Sequence, residues 1–81
     1  MSWSVYALQS LTRNYVYVGM TSNVEKRVGQ HIDGRERTTK PYRPFRLIYT
    51  ESFPDRPAAR AKGKWLKSGV GKEFLRSIPT E

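Results

Sequence analysis

Residues Tyr15-Val16-Tyr17-Val18-Gly19-Met20-Thr21-Ser22-Asn23-Val24-Glu25-Lys26-Arg27-Val28-Gly29-Gln30-His31-Ile32 carry two hydrophobic periods joined by a polar turn. From Tyr15 to Gly19 the period is two, so Tyr15, Tyr17 and Gly19 share one face of a strand. Val16 and Val18 take the other face and mark it as core. The tyrosine face is aromatic but keeps hydroxyls available. After the turn the period becomes helical, and Val24, Val28 and Ile32 recur every four residues as a buried stripe. Ser22 is placed to cap this helix, with Glu25 three residues later completing a capping box. Gly34 ends it at a left-handed position. Arg27 and His31 are also four apart and lie on one side of the helix, beside the stripe.

Upstream, Ser4 to Gln9 is a second Val- and Tyr-containing strand. The polar connection Ser10-Leu11-Thr12-Arg13-Asn14 turns it into a β-hairpin with Tyr15–Gly19. Downstream, Arg35 to Pro44 is basic and irregular, with Pro41 and Pro44 as breakers. Phe45 to Glu51 reads as a third strand in which Leu47 and Tyr49 alternate against Ile48. Asp55 and Pro57 start a second helix, since Asp caps well and Pro suits a first turn. That helix carries Ala58, Ala59, Ala61, Trp65 and Leu66 and stops near Ser68-Gly69. A last helix over Lys72–Ile78 offers Phe74, Leu75 and Ile78 to the core before Pro79 closes it. Trp3 and Trp65 read as core residues, and Tyr15 and Tyr49 as packing residues. No repeat or linker interrupts the 81 residues, so residues 1–81 form one domain. Its class is α/β (α+β), a three-stranded antiparallel sheet flanked by helices in the order β-β-α-β-α-α.

Composition narrows the partners. Fifteen Lys and Arg face seven Asp and Glu, a formal net charge of +8. Cations that neutralise phosphates release condensed counterions, so this balance favours an anionic partner such as a nucleic acid. With no cysteine, disulfides and thiolate metal sites are excluded. No apolar run approaches the roughly 20 residues that cross a bilayer. Met1-Ser2-Trp3-Ser4 lacks the basic-then-apolar order of a signal peptide. The expectation is a cytoplasmic protein without a membrane partner.

Tyrosines on a sheet face beside an Arg and a His suit phosphodiester chemistry. Negative charge concentrates on the non-bridging oxygens of the transition state, where a guanidinium fork binds it. A tyrosine hydroxyl can position or activate water, and a divalent metal ordinarily stabilises the leaving oxygen. Arg35, Arg37, Lys40, Arg43 and Arg46 form a dense basic cluster next to this face and are read as tracking nucleic-acid phosphates. Arg60, Lys62, Lys64 and Lys67 make a candidate second basic face.

These residues resemble the GIY-YIG nuclease superfamily, in particular its small single-domain members, which are similar to the N-terminal nuclease domain of a DNA-repair excinuclease. Ser4-Val5-Tyr6 stands as the first strand motif and Tyr17-Val18-Gly19 as the second. Thr21-Ser22-Asn23 then leads into Arg27 and His31. Phe45-Arg46-Leu47-Ile48-Tyr49 and Ala59 to Lys67 look like the family's next strand and helix. The resemblance runs over essentially the whole chain. It implies the GIY-YIG endonuclease fold, with Tyr6, Tyr17, Arg27 and His31 catalytic. One tyrosine would orient or deprotonate water, Arg27 would stabilise the scissile phosphate, and His31 would accept a proton or orient. Gly19 would leave room for the phosphate or for close backbone packing. The implied partner is DNA and the implied cofactor Mg2+ or Mn2+, held by one glutamate on the later helix. Family members serve as repair, restriction, homing or structure-specific nucleases. The oligomeric state is left as monomer or homodimer.

The chain departs from that pattern at one position. Aligning Leu66-Lys67 with the family's end-of-helix pair puts the glutamate at position 63, where the residue is Gly63. Pro57 to Lys72 holds no carboxylate, and nothing in the spacing of Glu51, Asp55 or Glu73 makes one a substitute. The expectation is therefore a metal-dependent DNA endonuclease domain, weakly active or inactive in this form. The alternative is a non-catalytic basic nucleic-acid-binding module on the same fold.

Overall fold

The computed structural model describes residues 2–78. Strand β1 (Trp3–Ser10) runs through the middle of an antiparallel sheet, with β2 (Val16–Thr21) on one side and β3 (Phe45–Phe53) on the other. Its alternating residues serve two cores. Val5 and Ala7 face helices α2 (Arg56–Leu66) and α3 (Gly69–Arg76), together with Val18, Ala59, Leu66 and Leu75. Tyr6 and Leu8 point the opposite way with Phe45, and Tyr15, Tyr17, Tyr42 and Val28 of helix α1 (Val24–Ile32) pack against them. The element order is the one expected, β-β-α-β-α-α, plus a short 3-10 turn at Lys40–Tyr42 in the basic segment. Among the described residues no helix is long and apolar enough to cross a membrane.

The register decides which side chains meet. Tyr6 lies opposite Gly19 and Leu8 opposite Tyr17. A Cβ on Gly19 would stand 2.6 Å from the Tyr6 hydroxyl and 2.9 Å from the Tyr17 ring. This glycine therefore makes room for the side chains of the two tyrosines. The β1–β3 register slips between Ala7 and Leu8, which pair with Tyr49 and Leu47. Ile48 is the extra residue of this bulge and packs with Tyr49 on the α2–α3 side. The expected alternation of Leu47 and Tyr49 against Ile48 is lost there.

Several helix details differ from the sequence reading. The cap of α1 is Asn23, whose side chain accepts from the Lys26 amide; Ser22 stands one residue too early. The stripe is turned as well. Ile32 is 53% exposed, and His31 is the fully buried residue of α1. A polar side chain occupies the inner position because Tyr6 and Thr39 meet it there with hydrogen bonds. Gly34 does end the helix, at φ +78°. Asp55 caps α2 by accepting from the Ala58 amide. Helix α3 begins three residues before the expected Lys72, because Ser68 caps it by accepting from the Gly71 amide. Leu75 is its core residue, whereas Phe74 is 38% exposed and Trp65 of α2 is 39% exposed. These two rings pack on each other, and the Lys62 ammonium covers the Trp65 ring at 4.6 Å. Trp65 is thus a shielded surface residue rather than core, while Trp3 does pack against the core. Pro79, read as the end of the last helix, lies outside the described residues.

Candidate functional site

Strands β1 and β2 bring Tyr6 and Tyr17 side by side, with ring centroids 6.2 Å apart. Helix α1 lies over them and lowers His31 between the rings. His31 Nε2 is hydrogen-bonded to the Tyr6 hydroxyl at 3.0 Å, and its Nδ1 to the Thr39 hydroxyl at 2.8 Å. The His31 and Tyr17 rings are 4.8 Å apart. Tyr6, His31 and Thr39 are all excluded from solvent, so the chain Tyr6–His31–Thr39 satisfies every polar atom it buries. Tyr17 is half-buried and forms the wet side of the cluster.

Charge is arranged around this chain. Burial, then the neighbouring Tyr17, pushes the Tyr6 phenol up to about 12, although the Arg27 guanidinium pulls the other way. Burial lowers the His31 pKa, and the Arg27 charge lowers it further, against an opposing pull from Glu36. Neutral imidazole beside a neutral phenol is the resulting state at pH 7. One ring nitrogen then donates and the other accepts, so the proton order along Thr39, His31 and Tyr6 is directional. Arg27 donates to Gln30 Oε1 at 2.8 Å and pairs with Glu36 at 2.7 Å. Burial pulls the guanidinium pKa down, but Glu36 and Tyr6 outweigh it and raise it.

The structure brings Tyr6, Tyr17, Arg27 and His31 together. It divides the basic cluster. Arg35, Arg37, Lys40 and Arg43 are exposed on the segment that follows α1. Arg35 stands 3.9 Å from Asp33, and Arg43 donates weakly to the carbonyls of Ile32 and Lys40, closing the α1 C-terminus. Arg46 pairs with Gln9, which alternates onto the same side as Val5 and Ala7. Directly opposed residues share a sheet face, so Arg46 lies on the α2–α3 side and not beside the tyrosines. Three contributors were missed from the sequence. Thr39 left no signal, because its partner is set by how the loop folds back. Gln30 is one turn from Arg27 and was legible as a neighbour. Glu36 was legible as the lone acid between Arg35 and Arg37.

A divalent ion does not fit the residues present. Among the described residues no three His, Cys, Asp or Glu side chains converge. His31 has both ring nitrogens engaged, and Glu36 is held by Arg27. Gly63 sits between the buried Ala59 and Leu66 on α2, where a Cβ would meet nothing within 4 Å. Space for a side chain exists there, and glycine itself supplies no side-chain oxygen to an ion.

A family model described as the GIY-YIG catalytic domain matches residues 2–70. The chain is 37% identical over 65 residues to a UPF0213 protein of Natronomonas pharaonis, covering 79% of this chain and 75% of that protein. It is 33% identical over 66 residues to a UPF0213 protein of Staphylococcus haemolyticus, covering 80% of each. The solution NMR structure of a UPF0213 protein from Bacillus halodurans is similar in fold, with a TM-score of 0.57 and 32% identity. That match covers 95% of this chain and 84% of the other.

Proposed function

The chain belongs to the GIY-YIG family, a nuclease-type family whose enzymes are generally metal-dependent, and from that premise we propose a metal-dependent DNA endonuclease domain that is weakly active or inactive in this form. The observation that carries this reading is a completed tyrosine–histidine–arginine cluster with no set of metal ligands beside it among the described residues. Arg27 is the group for the scissile phosphate, because its guanidinium fork matches the non-bridging oxygens. Tyr17, the more accessible tyrosine, orients water. Tyr6 holds its proton at neutral pH, so it positions His31 and Tyr17 rather than serving as a base. Neutral His31, buried with both ring nitrogens engaged, orients the Tyr6 hydroxyl, and Thr39 fixes the ring. Arg35, Arg37 and Lys40 extend the positive surface for the flanking backbone.

Gly63 supports the weak-hydrolysis part. Loss of a catalytic ion removes several kcal/mol of transition-state stabilisation, or orders of magnitude in rate. The second reading, a purely non-catalytic DNA-binding module in the cytoplasm, draws on the same glycine. Supercoiled-plasmid nicking with Mg2+ or Mn2+, alongside DNA binding, separates the two when Gly63→Glu is assayed beside the unaltered chain.

A further inference from the structure

Along β2 a cleft of about 570 Å³ opens between the sheet and the α2–α3 corner. Half-buried Val16 and Ile48 form its apolar floor together with Tyr15 and Tyr17, while Val18, Leu66 and Leu75 line it as buried core. Its rim is cationic. Lys67 ends α2, and Lys72 and Arg76 lie along α3. Arg76 pairs with Glu73 at 3.0 Å, while Lys67 and Lys72 form no ion pair among the described residues. No Asp or Glu lines the cleft. Two side-chain amides, Gln9 from β1 and Asn14 from the hairpin turn, complete the wall.

Each part selects one feature of a ligand. The volume falls within the roughly 300–1,000 Å³ of small-molecule sites. An apolar floor takes a flat or aliphatic body, and unpaired lysines above it take an anion. Each amide offers both donors and an acceptor, which suits the mixed edge of a heterocyclic base and not a simple fatty chain. We infer that this cleft binds a nucleotide, with its base on Val16 and Ile48 between the amides and its phosphate on Lys67 and Lys72. Tyr15 and Tyr17 border both this cleft and the Tyr6 cluster, but Tyr6, Arg27 and His31 do not line it, and binding in it does not depend on hydrolysis at the cluster. Nucleotide chemistry is the same in a free mononucleotide and in one unit of a strand, so the test includes both.

The experiment is a titration of 15N-labelled protein, followed by amide shifts, with deoxyadenosine 5′-monophosphate, a short oligodeoxyadenylate, duplex DNA and inorganic phosphate. Deoxyadenosine monophosphate is expected to shift Val16, Ile48, Lys67 and Lys72 and the side-chain amides of Gln9 and Asn14. The same shifts from the oligomer alone would identify the ligand as a strand unit, and they support the inference equally. Lys67→Ala with Lys72→Ala, two exposed positions, should weaken binding at least about tenfold while the remaining spectrum stays folded. Equal lysine shifts from inorganic phosphate with a silent floor would overturn the inference, leaving a mere surface charge patch. Duplex DNA that shifts Arg27 and His31 while the cleft responds to no nucleotide would also overturn it, and would leave the DNA-binding reading standing.

Discussion

The Tyr6 hydroxyl and His31 Nε2 lie 3.0 Å apart with both side chains withdrawn from solvent. Twenty-five residues of chain separate them, so this bond ties the central strand to helix α1. Tyr6→Phe removes one partner and strands a buried imidazole nitrogen. The expected cost is about 1–3 kcal/mol in a denaturant titration. The cavity left is small, so the circular-dichroism spectrum should stay that of the parent.

His31 also sets a pH dependence. Its folded pKa lies below the ordinary 6.5, because burial and Arg27 disfavour the charged ring. The unfolded chain therefore binds the extra proton first as pH falls. Stability from this group is complete above about pH 6.5 and declines below it, through the folded pKa, by at most about 1.4 kcal/mol per pH unit. His31 is the single histidine of the chain. Subtracting the stability profile of His31→Gln from that of the parent should isolate this slope. Parallel profiles between about pH 5 and 7 would contradict it.

The cluster was legible in the sequence wherever local period fixed it. Tyr17 on the face away from Val18, and Arg27 four residues before His31, followed from two and 3.6 residues per repeat. Which face of α1 turns inward was not legible. Hydrophobicity alone put Ile32 inside, and only the tertiary partners Tyr6 and Thr39 make buried His31 acceptable. Arg46 was misplaced for a related reason. Proximity along the chain grouped it with Arg43, but strand alternation sends its side chain to the other face. The bulge at Ile48 and the early start of α3 depend on register and on the Ser68 cap, which residue patterns specify weakly.

Arg27 and Glu36 form a half-exposed pair 2.7 Å apart. Such pairs contribute little to stability, so Glu36→Gln should change the unfolding free energy by less than about 1 kcal/mol. Its effect belongs on binding, since a carboxylate at the phosphate site repels the backbone. Duplex DNA affinity at fixed salt should rise in Glu36→Gln and fall in Arg27→Ala. Arg27→Ala should also reduce the slope of log K against log salt by about 0.9. Arg46→Ala, on the opposite sheet face, should leave binding at the tyrosine face unchanged.

Two glycines of the α2–α3 unit predict opposite outcomes. A Cβ on Gly71 would sit 2.0 Å from the Trp65 carbonyl oxygen and 2.4 Å from Leu66 Cα, both backbone atoms that have nowhere to go. Gly71→Ala should lower stability by about 3 kcal/mol or more, as overpacking of helix against helix does. A Cβ on Gly63 meets nothing, and α2 gains helix propensity from it. Gly63→Ala should raise stability by about 0.5–1 kcal/mol. Differential scanning calorimetry of the pair checks both signs.

The openness around Gly63 makes the most direct test clean, because a glutamate there should not disturb the fold. The measurement is nicking of supercoiled plasmid in Mg2+ or Mn2+ by the parent chain and by Gly63→Glu. The parent is expected to bind the plasmid in a salt-dependent way and leave it essentially supercoiled, while Gly63→Glu converts it to the nicked form. Brisk metal-dependent nicking by the parent would contradict the account. So would binding without cleavage by both proteins, which would withdraw the catalytic roles of Tyr17 and Arg27 and leave a binding module.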